Sequence, residues 1–221
     1  MAGPAGDASL SGESTGIAVF SRLLIVVGLI TLGIAYAAFI VPSALVTSGG
    51  PAVGVPLTSA PAGTLLASLL SPFSFSTTAG TTSGSVLSAV YQNPSGTLDF
   101  YYQIANNAAS ATSLARQSST SFAGFLTQVA FRLDGGSLPG GAGFVNGTAG
   151  IIPVTADRDA SGTTVGFNFV PTPPGTKIPP GTTSAVLVIS TDATAFAAGN
   201  VEIIDGGGQI VASFQPAPAS E

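Results

Sequence analysis

The sequence predicts a mainly β protein: a single N-terminal transmembrane helix followed by an antiparallel β-sandwich of jelly-roll or Ig-like type. Three observations carry that expectation. Leu23–Val41, LLIVVGLITLGIAYAAFIV, contains no charge, and its only polar side chains are Thr31 and Tyr36. At about 1.5 Å per residue it matches the hydrocarbon thickness of a bilayer. Beyond Val46 no second long apolar run occurs; apolar residues come in short pieces broken by Gly, Pro and Asn, as in a chain of short strands. Finally, only 7% of residues are charged, against about 25% in ordinary soluble proteins.

The elements follow in order. Residues 1–16, MAGPAGDASLSGESTG, are small and polar and read as a disordered cytoplasmic tail. Arg22 precedes the apolar run and the next basic residue is Arg116, so the positive-inside tendency places the N-terminus in the cytoplasm and the bulk of the chain outside. Residues 17–47 form the membrane segment, for which three readings compete. One is an uncleaved signal-anchor. A second is a cleaved signal peptide using the small residues around Ala35-Tyr36-Ala37. The third is a helix that resembles that of type IV pilins, though Gly16 lacks a preceding basic residue and Ser21 stands where such a helix has Glu. Gly28, Gly33 and Ala37 offer a small-residue face for helix packing.

Residues 48–83 read as an uncharged Pro/Gly/Ser/Thr-rich linker. Within it Leu65, Leu66, Leu69, Leu70 and Phe73 recur at helical spacing, suggesting a short helix or first strand, or an interfacial patch. The β-domain is expected over residues 84–216, with a short tail at 217–221. Strands are predicted at Ser85–Gln92, Thr97–Ala105, Phe122–Leu133, Thr163–Val170, Ser184–Ser190, Val201–Ile204 and Gln209–Phe214. Thr97–Ala105 alternates as a half-buried strand should, whereas Ser184–Ser190 is apolar on both faces. Asn93-Pro94-Ser95-Gly96 and Asp205-Gly206-Gly207-Gly208 supply turns.

Residue types narrow the chemistry. Net charge is −5 and the five basic residues are scattered, so the clustered cations that nucleic acid demands are missing. Cys and His are both absent, which removes disulfides, thiolate sites and the commonest general base. The sequence therefore points away from an enzyme and implies no cofactor. Asp157-Arg158-Asp159, followed by Ala160-Ser161-Gly162, is the tightest carboxylate group; Asp157 and Asp159 are weak candidate Ca²⁺ ligands, set against a plain charged turn with Arg158 offsetting its neighbours. Asp192 and Asp205 read as turn residues. Tyr91 and Tyr101 form a candidate ligand face for sugars, set against ordinary cross-strand packing. Asn146-Gly147-Thr148 fits the N-glycosylation pattern. Lys177, the only lysine, lies in PTPPGTKIPP, which reads as a solvated loop.

The ordered pieces SGSVLSAVYQNPSGTLDFYYQIANN, FAGFLTQVAFRLDGG, DRDASGTTVGFNFVP, KIPPGTTSAVLVISTDATAF and VASFQPAP together resemble the β-rich extracellular domains of bacterial exosortase-sorted (PEP-CTERM-type) surface proteins. The resemblance covers about Gly84–Pro218. It implies an exported surface, matrix or filament domain and brings no catalytic residues with it. Members of that family carry a C-terminal sorting signal and membrane helix; here the apolar segment is N-terminal instead. The expected function is a membrane-anchored structural or assembly protein, acting through copies of itself or as an accessory subunit of a membrane complex. The segment from Thr47 to Gly84 is a candidate donated strand. An extracellular binding module for polysaccharide or calcium is the alternative.

Overall fold

The computed structural model describes residues 63–169 and 177–219, together with the backbone of three two-residue strands nearer the N-terminus. The chain divides into two compact units, Met1–Ile40 and Val41–Glu221, and every described residue belongs to the second. The apolar run Leu23–Val41, with Gly28, Gly33 and Ala37, lies outside the described residues. Among the described residues no helix is long and apolar enough to cross a membrane.

The second unit is a two-sheet β-sandwich, as predicted. Its strands are β1 (Ala44–Leu45), β2 (Pro51–Ala52), β3 (Val55–Pro56), β4 (Thr64–Thr77), β5 (Gly80–Gln92), β6 (Leu98–Asn106), β7 (Arg116–Ser119), β8 (Thr127–Arg132), β9 (Thr155–Arg158), β10 (Val165–Asn168), β11 (Val186–Thr191), β12 (Ala195–Ile204) and β13 (Gly208–Ala217). The first sheet runs β1-β8-β11-β6-β5-β4, with β3 also on β8; the second runs β13-β12-β7-β10-β9-β2. Pairing is antiparallel throughout except between β3 and β8.

The alternation read in the sequence sets the inner face. Leu98, Phe100, Tyr102 and Ile104 of β6 join Leu187 and Ile189 of β11 and Val165, Phe167, Val201 and Ile203 of the second sheet in one buried cluster. Burying side chains of this size stabilises the fold by about 1.5–3 kcal/mol each. The turns also hold. The Gly96 N–H donates to Asn93 O at 2.9 Å with Gly96 at φ 88°, and Gly206 at φ 63° closes the β12–β13 hairpin, both in backbone conformations that favour glycine.

Four expectations are corrected. β6 is not half-buried: Tyr101 and Gln103 on its outer face are 2% and 4% exposed. They lie under residues 133–147, which fold back over the first sheet through two short 3₁₀ turns, Gly135–Ser137 and Pro139–Gly141. Phe144, Leu138 and Ala142 of that segment pack on Ala89, Tyr91, Tyr101, Val186 and Val188, making a second core. Next, the span read as linker contains β4, a strand of 14 residues paired along β5, so that of the two elements expected around Leu65–Phe73 it is the strand that forms. Ser74, Phe75 and Ser76 show why: their alternation has period two, and the leucine spacing upstream fits both periods. In this chain β4 pairs with β5 along its length. Third, β8 starts only at Thr127, because Gly124 (φ 86°) turns the chain and Arg158 holds the carbonyls of Phe122 and Phe125. Finally, β7 and β9 are additional to the expected strands; both are four-residue strands rich in polar residues.

Candidate functional site

The two aspartates of the candidate cation turn have different tasks. Asp157 lies on the outer face of the second sheet, where Arg116 clamps it with two hydrogen bonds at 2.6 and 2.7 Å. Arg116 also binds Ser118 and Asn168, and Asn168 donates to Asp157 at 2.7 Å. The hydrogen bonds from Arg116 hold the Asp157 carboxyl below its usual range. Gly166 makes this geometry possible: a Cβ there would sit 2.0 Å from Arg116 Nη2, so the guanidinium lies flat on bare backbone.

Asp159 sits in the β9–β10 turn. Its carboxylate accepts the Thr164 N–H at 3.0 Å and the Ser161 hydroxyl at 2.9 Å, and the backbone bond from Thr164 lowers its pKa. Arg158 does not offset either neighbour. It is buried and donates to the carbonyls of Gly162, Phe122 and Phe125. The turn is therefore built as a structural tie. No group of three or more Asp or Glu side chains gathers as a metal site among the described residues.

Tyr91 and Tyr101 do come together, with ring centroids 4.7 Å apart, but inside the second core. Tyr91 is fully buried and its hydroxyl donates to Pro139 O at 2.9 Å. Neither ring faces solvent, so the pair cannot stack a sugar; burial drives the Tyr101 phenol well above its usual pKa. Lys177 is not simply solvated, because its Nζ pairs with Asp205 at the β12–β13 turn. Asp192 accepts the Leu126 N–H at 2.9 Å, and Asn146 accepts the Gly136 N–H at 3.0 Å.

Two features remain that offer a surface. The first is an open cleft of about 270 Å³ lined by Thr97, Leu126, Gln128, Ser190, Thr191 and Asp192. Asp99 stands opposite Ser190 across the β6–β11 ladder, and burial pushes its carboxyl up to about 6. The cleft's hydroxyls serve the fold: Thr191 donates to Leu98 O at 2.8 Å and Ser190 hydrogen-bonds Asp99. No oriented nucleophile–base–carboxylate series is assembled there.

The second is the edge of the first sheet at β4. No chemistry-bearing side chain marks it in the sequence, because an edge works through its backbone. Residues 64–92, which include β4 and β5, contain no Asp, Glu, Lys or Arg. The C-terminal half of β4 is covered: Ser71 donates to Ala212 O at 2.7 Å and the Ser74 N–H binds Gln209. The N-terminal half, Thr64–Leu70, pairs only with β5 among the described residues, and Leu66 and Leu70 there are 43% and 62% exposed. Compared with models of protein families, with curated proteins and with solved structures, the chain has no match.

Proposed function

We propose that this chain is a non-catalytic structural or assembly protein, anchored in a membrane through Leu23–Val41 with its sandwich on the exported side. The observation that carries the reading is the uncharged β4 edge, whose N-terminal half leaves strand backbone and two leucines open among the described residues. Unpaired strand edges are routinely blunted with charge in proteins that stay monomeric. Here 29 Gly and low charge accompany an edge with no Lys at all. Partners are therefore proteins, either further copies or subunits of a membrane complex, and the membrane itself through the apolar run.

The test is to extract the protein from its native membrane in mild detergent, size the particles and identify what co-migrates by mass spectrometry. A large homopolymer, or foreign subunits at fixed ratio, is the expected outcome. A free monomer would overturn the assembly reading and leave the cleft beside Asp192 as the place to seek a bound ligand.

A further inference from the structure

The open half of β4 fits one occupant better than any other, the same strand of a second copy. Parity decides which of its backbone groups are free. In an extended strand, residues of one parity aim both backbone groups at the same edge. The Ser74 N–H reaches Gln209 rather than β5, and a Cβ on Gly207 would meet Ser76 O at 2.7 Å. Residues Ser68, Leu70 and Pro72 share that parity and so face away from β5. A register shift between Leu65 and Ala67 leaves Leu66 without a direct partner on β5, at the start of this edge. Pro72 has no N–H to offer on this side, which ends the usable edge there, as proline does on edge strands. Beyond it β13 already lies over the strand.

What remains is a short uncharged ladder whose outward side chains are Leu66, Ser68 and Leu70. Two such ladders match when run antiparallel about a twofold axis at Ser68. Leu66 then lies opposite Leu70 of the other copy and Leu70 opposite its Leu66, while Thr64, on the far side of the register shift, turns back to Gln92 of β5 and Pro72 falls outside the ladder. Both exposed leucines gain an apolar cross-strand partner, and the one position lacking a donor is left out. Charge favours this approach too. The chain carries −5 overall, yet residues 64–92 carry none, so identical molecules repel least when they meet along this edge. A partner recognised by ion pairing would find nothing to pair with.

We infer that two copies of this chain pair antiparallel through Leu66–Leu70, joining their first sheets into one continuous sheet across a twofold axis at Ser68. This rests on the assembly reading above and names the partner at that edge. Directly opposed residues in such a ladder stand about 5.5 Å apart at Cα, within the range a disulfide spans. The chain has no cysteine, so single cysteines report cleanly.

The experiment uses the full chain in detergent. Ser68→Cys is expected to give a disulfide-linked dimer under mild oxidation at about ten times the yield of Leu126→Cys, a control 66% exposed and away from β4. Ser68→Lys sets two ammonium groups across the axis and is expected to weaken wild-type dimerisation by about tenfold or more, with thermal unfolding of the monomer unchanged. Equal crosslinking of the two cysteine variants overturns the proposal. So does a Ser68→Lys chain that dimerises like wild type. If Ser68→Cys crosslinks in native membranes to a different protein, self-pairing falls while the assembly reading stands; if wild type is monomeric in both settings, both fall.

Discussion

Asp99 is the side chain whose environment most plainly opposes its charge. It is mostly buried, and burial lifts its carboxyl from 3.8 to about 6 despite hydrogen bonds from Ser190 and Asn93. A carboxyl with a raised folded pKa favours the folded state fully below the unfolded value, and that contribution is lost as pH rises from about 4 through 6. Asp99→Asn mimics the neutral form. It is therefore expected to leave stability near wild type at pH 4 and to raise it at pH 7 by roughly 2–3 kcal/mol, a tenfold change in proton affinity being worth about 1.4 kcal/mol. Denaturant melts of both proteins across that range check this, and a variant no more stable at pH 7 would refute it. Asp157 runs the other way. Its folded pKa is lowered by Arg116, so its contribution is present above the unfolded value and is lost as pH falls. Gly166→Ala lifts the guanidinium off the strand and is expected to cost about 1 kcal/mol, the pair being partly solvated. The NMR-detected titration of Asp157 should move back toward the ordinary carboxylate value in that variant. Of these two aspartates the sequence reveals neither role. Asp99 alternates with Leu98 and Phe100 and so reads as solvent-facing, and nothing in local spacing shows that Gly166 is a shelf for an arginine fifty residues away.

At the scale of elements, the covering segment 133–147 departs most from what the pattern of residues foretells. Period two in Thr97–Ala105 is correct, and so is the inner face it assigns; the outer face is dry only because distant chain returns to cover it. That return is fixed by polar contacts. Gln103 Nε2 donates to Val145 O at 2.8 Å while the Val145 N–H donates to Gln103 Oε1 at 3.0 Å, so one amide side chain replaces a ladder strand. Gln103→Leu orphans both backbone groups and is expected to cost about 2 kcal/mol, with amide exchange rising across residues 133–147 and unchanged in β11. Tyr91→Phe removes the single bond to Pro139 O and is expected to cost about 1 kcal/mol, read by the same melts. Legibility follows from range. The hairpin turns at Asn93–Gly96 and Asp205–Gly208 are local chemistry and can be read from their residues alone. The apolar run at Ser184–Ser190 announces a strand buried on both sides. β4 is ambiguous because leucines at 65, 66, 69 and 70 suit a helix as well as a strand, and only the pairing with β5 decides between them. β7 is polar because Gln117 and Ser119 hydrogen-bond each other inside the sandwich, a pattern that in sequence mimics a loop.

For the whole molecule, the distribution of charge separates two kinds of surface. The outer face of the second sheet holds Arg116, Asp157 and Glu202, with Asn168 and Ser118 between them; Arg116, Ser118, Asp157 and Asn168 hydrogen-bond one another, and Glu202 adds its charge near Arg116. The β4–β5 hairpin holds no charge, and the molecule as a whole is acidic. Association along the hairpin gains nothing from ion pairs and is opposed only by the mutual repulsion of two anionic bodies. Salt reduces that repulsion, the screening length falling from about 30 Å at 0.01 M to about 10 Å at 0.1 M. Apolar contact between leucines is strengthened by excluded salts such as sulfate. Self-association of the full chain is therefore expected to tighten as sodium chloride rises from about 0.01 to 0.1 M, by a few-fold, and to tighten again modestly in sulfate. Sedimentation equilibrium at fixed pH 7 measures it directly. Association through the charged outer face would show the opposite sign, because screening weakens ion pairs. The sign of the salt response thus tells which surface meets its partner, and a response that weakens with salt would move the interface from β4 to the Arg116–Asp157 face.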